Sequence, residues 1–165
     1  MGDNGVPDFL APGLNIVFVG FNPGIRSGET GHHFANPTNR FWKLLHEAGI
    51  TPRKYKPEDG RLLLELGLGL TNIVPRTTRA ASDIKPEEFT EGRQQLLDKL
   101  RHYRPRVVCL VGKGVYQAYS GKNQATWGYQ PDSIVPGIRD FVAPNSSGLV
   151  RMKLDQLVSI YRLIT

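Results

Sequence analysis

Short apolar runs and stretches of helical spacing take turns along this chain. Asn15 to Gly20, Leu68 to Val74, Val107 to Val111 and the region of Asp140 to Ala143 are the compact apolar segments that fill buried strands. Between them the period changes. Phe41, Leu44, Leu45 and Ala48 fall on one helical face, with Thr38 or Asn39 available as cap and Gly49 as stop. A second helix is predicted from near Pro57, carrying Leu62, Leu63 and Leu66 to Gly67. Pro86 suits the first turn of a long helix whose Phe89, Leu96, Leu97, Leu100 and Tyr103 face inward, closed by Pro105. Gly112-Lys113-Gly114 opens a short helix through Tyr119, a looser region holds Trp127, and Leu154, Leu157, Val158 and Tyr161 mark the closing helix. Residues 1–12, rich in glycine, proline and aspartate, read as a loose or covering segment.

Strands alternating with helices predict an α/β fold, a three-layer α/β/α arrangement around a mostly parallel central sheet of four or five strands. The 165 residues suit a single domain spanning 1–165. In such a sheet, the loops after the first, second and fourth of these strands share one rim. They are also the most polar loops of the chain, so the cleft they form is the natural site.

Composition narrows the chemistry. Lysine and arginine number 21 against 15 acidic residues, a net charge of +6 that suits a polyanionic partner. Cys109 is the sole cysteine and sits in a strand run, which rules out an intrachain disulfide and cysteine-built zinc or iron–sulfur sites and reads as a buried, inert thiol. No charged-then-apolar leader opens the sequence and no apolar run approaches the roughly 18 residues of a membrane span. A soluble intracellular protein is expected, cytoplasmic and nucleoid-associated in a bacterium or nuclear in a eukaryote, with no membrane partner.

The first rim loop is Gly20-Phe21-Asn22-Pro23-Gly24. By itself Asn22-Pro23-Gly24 is good turn chemistry. The continuation through Gly28, Gly31, His32, His33 and Phe34 into Pro37-Thr38-Asn39-Arg40 argues instead for a pocket wall between strand and helix. Gly112-Lys113-Gly114 lacks the glycine spacing and the hydroxyl residue of a phosphate loop, and no Gly-x-Gly-x-x-Gly follows the first strand. His32 and His33 point apart and have no further ligand at metal spacing, so they read as pocket polar groups. No metal and no cofactor is expected.

The blocks Gly20-Phe21-Asn22-Pro23-Gly24, Gly31-His32-His33-Phe34, Pro37 to Lys43, Leu70 to Thr78, Val111-Gly112-Lys113, Trp127-Gly128 and Asn145-Ser146-Ser147-Gly148-Leu149 resemble the MUG/TDG family of mismatch-specific uracil/thymine DNA glycosylases. The resemblance covers nearly the whole chain in order and implies a uracil-DNA glycosylase-like fold. It implies a monofunctional enzyme, a monomer, that acts on double-stranded DNA with G·U or G·T mismatches. Uracil, with thymine and other modified pyrimidines as further candidates, is flipped out and excised by water attack at C1′, leaving an abasic site for base-excision repair.

By the same resemblance Asn22 positions the attacking water, Phe34 stacks on the flipped base, backbone amides near Phe21 and Phe34 read its polar edge, and Asn72 lines the base pocket. Leu149 matches the apolar wedge that fills the gap in the duplex. Gly148 and Arg151 face the widowed guanine, and Ser146 and Ser147 are candidates for flanking phosphates. Asn72 stands where some bacterial members carry lysine and animal ones asparagine, which leaves opposite-base preference open. Further phosphate candidates are Arg26, Lys43, Arg76, Arg79, Lys113 and Arg151.

Asp83, in the polar loop after the second strand, is a second candidate catalytic residue, since a carboxylate over the cleft can activate water as an amide cannot. Helix capping and plain solvation are its alternatives. The rival from another class is a non-catalytic nucleic-acid-binding module of the same fold. Such a module needs no water-holding residue, so Asn22 favours the enzyme.

Overall fold

The computed structural model describes residues 6–165. Its centre is a five-stranded sheet in the order β2-β1-β3-β5-β4, built from β1 (Ile16–Gly20), β2 (Leu68–Asn72), β3 (Val107–Val111), β4 (Gly128–Tyr129) and β5 (Arg139–Ala143). The four long strands run parallel and only the two-residue edge strand β4 pairs antiparallel. The mixed α/β class and mostly parallel sheet are those the sequence predicts.

Side chains alternate across the sheet with period two, and each set has its own helices. Ile16, Phe18, Leu70, Cys109 and Phe141 lie on the face packed by α2 (Phe41–Glu47) and α5 (Leu154–Arg162). Val17, Val19, Val108, Leu110 and Val142 lie on the opposite face, under α3 (Pro86–Tyr103) and α4 (Lys113–Ser120). Both faces are covered, which is why these strands read as continuous apolar runs. Burial alone pushes the Cys109 thiol well above its ordinary range, so the sulfur stays protonated and inert.

Several elements differ from their sequence-based expectation. The helix expected from near Pro57 to Gly67 is present, wound as a 3-10 helix over Pro57–Leu66, but of its leucines Leu63 is wholly buried while Leu62 is exposed. A short helix α1 (Ile25–Thr30) occupies what reads as loop, and β4 lies in the region read as loose. Along α3, Leu96, Leu97 and Leu100 are buried, whereas Phe89 and Tyr103 are only half-buried. The described part of the N-terminal segment covers the sheet: Phe9 exchanges two backbone hydrogen bonds with Leu70, at 2.9 and 3.0 Å. Residues 1–5 of the predicted loose segment lie outside the described residues.

The chain goes from β1 outward to β2, then crosses back to place β3 on the other side of β1. That reversal is the switch point at which parallel sheets open a crevice beyond the strands' carboxyl ends.

Candidate functional site

A cavity of about 260 Å³ sits at this switch point. The carboxyl ends of three strands reach it, as Gly20 of β1, Asn72 of β2 and Val111 of β3, and Asn145 enters from the segment after β5. Asn22 and Phe34 both line it. Among its described lining residues Arg26 alone carries a full charge and none is a carboxylate.

Asn22 is held from one end. Its Nδ2 donates to the Arg76 carbonyl at 2.9 Å and to Thr78 Oγ1 at 2.8 Å, using both amide hydrogens. Thr78 is itself buried and passes its own proton to the Ala80 carbonyl, 2.8 Å away, so its oxygen is oriented to accept. The loop is tied further by Thr78 N–H on the Pro23 carbonyl and Val74 N–H on the Phe21 carbonyl. Among the described residues Asn22 Oδ1 has no partner, which leaves a fixed acceptor at the cavity wall. Sequence reasoning missed Thr78 as the residue that sets this amide. The two lie 56 positions apart, and only their presence in neighbouring rim loops signals the contact.

Phe34 adopts a left-handed backbone, φ 49°. A non-glycine residue holds that conformation only where its neighbours are fastened, and here they are. His33 offers its carbonyl to Trp42 Nε1 at 3.3 Å, and Ala35 N–H donates to the buried Ser27 Oγ at 3.1 Å. His33 Nε2 donates to the Pro7 carbonyl at 2.6 Å, which fixes the tautomer because a carbonyl can only accept. Burial holds the His33 ring below its ordinary pKa, against the opposing pull of that carbonyl and of Asp8, so the ring is neutral. The Phe34 ring stacks on Phe41, centroids 4.0 Å apart and 19° from parallel. One ring face is thereby covered, and the ring remains part of the cavity wall.

Gly20 shows how closely the parts converge. A Cβ there would lie 2.8 Å from Asn72 Oδ1 and 3.5 Å from Phe34 Cζ, so a side chain at Gly20 would push into the pocket. Asn72 is half-buried and lines the cavity, and its side-chain amide has no hydrogen-bond partner among the described residues. Phe21 also borders the cavity, but its ring turns to Phe89, 5.9 Å between centroids, and to Gly114.

The loop after β5 is fastened through its backbone. Arg40 donates its N–H to the Ser146 carbonyl at 2.8 Å, Nη2 to the carbonyls of Ser147 (3.0 Å) and Val150 (2.9 Å), and Nη1 to that of Met152 (3.3 Å). Tyr161 donates its hydroxyl proton to the Pro144 carbonyl at 2.6 Å. Gly148 lies so near residue 38 that a Cβ would meet the Thr38 carbonyl at 2.8 Å. Leu149, at the tip, is 93% exposed. Arg40 is the second residue that sequence reasoning missed, although it stands inside one of the matched blocks.

The remaining sequence-predicted residues divide. Ser147 and Gly148 line the cavity, and Arg151 is exposed just past the tip. Ser146 departs from its expectation: it is wholly buried, its carbonyl is taken by Arg40 and its Oγ has no partner, so it cannot reach a phosphate. Arg76 departs as well. Its guanidinium grips Glu88, Nε to Oε1 at 2.7 Å and Nη2 to Oε2 at 3.0 Å, and it is a brace of the loop rather than a free cation. That grip, with the Lys85 N–H, holds the Glu88 carboxyl down at about 2. Asp83 is exposed, and its carboxylate accepts from Ala80 N–H at 3.2 Å in the capping geometry. It is not among the cavity's lining residues, though Ala81 is. Lys113 rests its ammonium over the Trp127 ring, 4.4 Å from the centroid, Arg79 is exposed, and Arg26 and Lys43 border a second hollow.

A model described as the uracil DNA glycosylase superfamily matches residues 7–162.

Proposed function

The chain belongs to the uracil DNA glycosylase superfamily, hydrolases that cleave N-glycosidic bonds in DNA, and on that premise we propose that it is a monofunctional enzyme excising uracil opposite guanine. Thymine and other altered pyrimidines opposite guanine are its secondary substrates, and it acts as a monomeric, single-domain protein.

The observation that carries this reading is the half-engaged Asn22 amide. With both N–H groups committed to the Arg76 carbonyl and Thr78, only Oδ1 is left to meet solvent, and it can accept a proton of one water. The water's lone pair is then turned away from the amide and toward C1′ of a nucleotide held in the cavity. An amide is too weak a base to take the proton early. The C–N bond therefore breaks first, giving an oxocarbenium-like sugar and a uracil anion, and the water is captured by the cation and then gives up its proton to solvent. A fixed carbonyl dipole near that cation stabilises it without needing to reorganise. The absence of a carboxylate from the cavity's described lining agrees with this order of events and with modest turnover.

The flipped base stacks against the ring face of Phe34 that Phe41 does not cover. Asn72 offers one donor and one acceptor to the pyrimidine edge. Because nothing among the described residues pins that amide, it can turn either way round, which supports a range of altered pyrimidines. Leu149, exposed on a braced backbone, fills the space the base vacates and opposes its return, a use of apolar side chains common where duplexes are opened. Ser147 and Arg151 stand beside it for the flanking phosphate and the widowed guanine.

The test is a labelled duplex panel with one central pair: G·U, A·U, G·T or G·C, and the uracil strand alone. Each is incubated with excess protein, treated with alkali and resolved by length. Breaks at the uracil of G·U, fewer at G·T and none at G·C support the reading. Intact strands throughout, with DNA still bound, point to a binding module.

A further inference from the structure

Beyond the cavity, on the other side of the wall formed by Phe34, Asn36 and Thr38, lies a larger hollow of about 710 Å³. We propose that this hollow is a second DNA-binding groove, which takes the phosphodiester backbone of the lesion-bearing strand on one side of the flipped nucleotide. The proposal rests on the DNA-acting reading above and adds a footprint that the reading does not require.

Charge distinguishes the two hollows. The cavity wall carries Arg26 alone, whereas five cationic side chains border the groove against the single carboxylate of Glu58. Arg40 is spent on backbone carbonyls. Arg26, Lys43, Lys54 and Lys56 are exposed, and among the described residues none of the four has an ion-pair partner. The nearby acid is already neutralised: Asp59 accepts from Lys56 N–H at 2.9 Å and meets Arg53 at 3.4 Å, and its carboxyl is held below the ordinary range chiefly by that backbone hydrogen bond. Four exposed cations outside any ion pair, against one carboxylate along the same concave surface, suit a chain of phosphates.

Continuity selects which strand. Phe34, Asn36 and Thr38 face both hollows, and Arg26 borders both. A nucleotide seated in the cavity leaves its own phosphate at the shared lip, where the groove begins. The wedge loop, which would face the opposite strand, adjoins this lip at Thr38, through Gly148, and the groove's border at Arg40, which holds its carbonyls. The strand that carries the cavity's nucleotide is the one continuous with the groove through Phe34, Asn36 and Thr38.

Binding, rather than excision, reads the proposal. The probe is a duplex with 2′-fluoro-2′-deoxyuridine opposite guanine, whose glycosidic bond resists cleavage, titrated by fluorescence anisotropy at salt between about 50 and 200 mM. The variant Lys43→Gln/Lys54→Gln/Lys56→Gln should flatten the slope of log affinity against log salt by about 0.9 for each phosphate it no longer neutralises, about two to three in all. The control variant Lys85→Gln/Arg101→Gln/Lys122→Gln removes the same charge from other faces and should leave the slope near the parent's. Lys54→Gln alone, an exposed change that spares the fold, should give one step of the series. Trimming the lesion strand on one side of the lesion should weaken the parent but not the triple variant, and trimming the other side should weaken both alike.

An unchanged slope in the triple variant, an equal loss in the control, or indifference to the trimmed side each overturns the groove. Failure of the proposed activity is separable. A protein that binds the fluorinated and the undamaged duplex equally sinks uracil recognition, while the slope difference still reports on the groove.

Discussion

The loop after β1 and the loop after β5 present opposite things by the same means. In the first, side-chain donors on Asn22 are tied to a neighbouring backbone and hydroxyl, so a polar atom, Oδ1, is delivered at a fixed place. In the second, Arg40 and Tyr161 tie the backbone itself at Pro144, Ser147, Val150 and Met152, and an apolar side chain, Leu149, is left free. The difference suits the roles proposed for each: orienting a water tolerates little displacement, whereas a wedge on a braced backbone needs an exposed apolar tip.

The largest effect on this contrast is expected from Arg40→Ala, which removes the frame of the second loop. Three side-chain hydrogen bonds to partly buried carbonyls disappear, costing about 2–3 kcal/mol and about 5–10 °C of melting temperature. Excision of G·U under single-turnover conditions should fall about 10–100-fold, the kinetic equivalent of the few kcal/mol that flipping costs. Thermal melts and rapid-quench rates check both.

Leu149→Ala separates tip from frame. Because the side chain is 93% exposed, melting should not move, while excision drops about tenfold as the returning base is no longer opposed. A fluorescent base analogue beside the uracil should report a smaller flipped population. If Leu149→Ala and Arg40→Ala shift melting equally, the two roles have not been distinguished.

Of the two loops, acid should touch the first, through His33. His33, which fastens residues 6–9 over the cavity, has a folded pKa lowered by burial, so the unfolded chain takes up its proton more readily. Its contribution is thus present above the unfolded value of about 6.5 and is lost as pH falls through and below it. The parent's melting temperature minus that of His33→Gln, which keeps a donor for the Pro7 carbonyl, should decline between about pH 7.5 and 5.5; the difference removes the opposing gain from Asp140, whose carboxyl burial pushes up to about 6 and which takes up its proton in the same window.

The smallest effect belongs to Asp83→Ala. Its carboxylate caps the turn at Ala80 and is not among the residues lining the cavity, so excision of uracil and thymine mismatches should stay within about twofold of the parent. A loss comparable to that of the wedge would instead bring the 75–83 loop over the sugar as a source of base catalysis.

What the sequence made legible depended on how local the cause was. Val107–Val111 is read residue for residue because a strand buried on both faces has to be apolar throughout. Helix α1 escaped because it is six residues long, buries only Ser27, and so shows no apolar period. At the site, Asn22, Phe34 and Leu149 stand in blocks that carry the family resemblance, and the structure brings the first two to one cavity with the third on the adjoining loop. Their supports were illegible. Thr78 and Arg40 act across separations of 56 and more than 100 positions, on an amide and on backbone carbonyls that leave no pattern in side-chain type. Ser146 shows the converse error, since a serine in a polar loop reads as exposed until the carbonyl beside it is seen to be claimed.

The most direct measurement is the single-turnover excision rate of parent and Asn22→Ala on the same G·U duplex, at protein concentrations that saturate both. If the fixed Oδ1 orients the attacking water, the variant binds as tightly as the parent and its rate falls about 10²–10³-fold, the usual cost of losing one preorganised polar group at a reacting centre. Equal rates, or a loss that saturating protein restores, would contradict it.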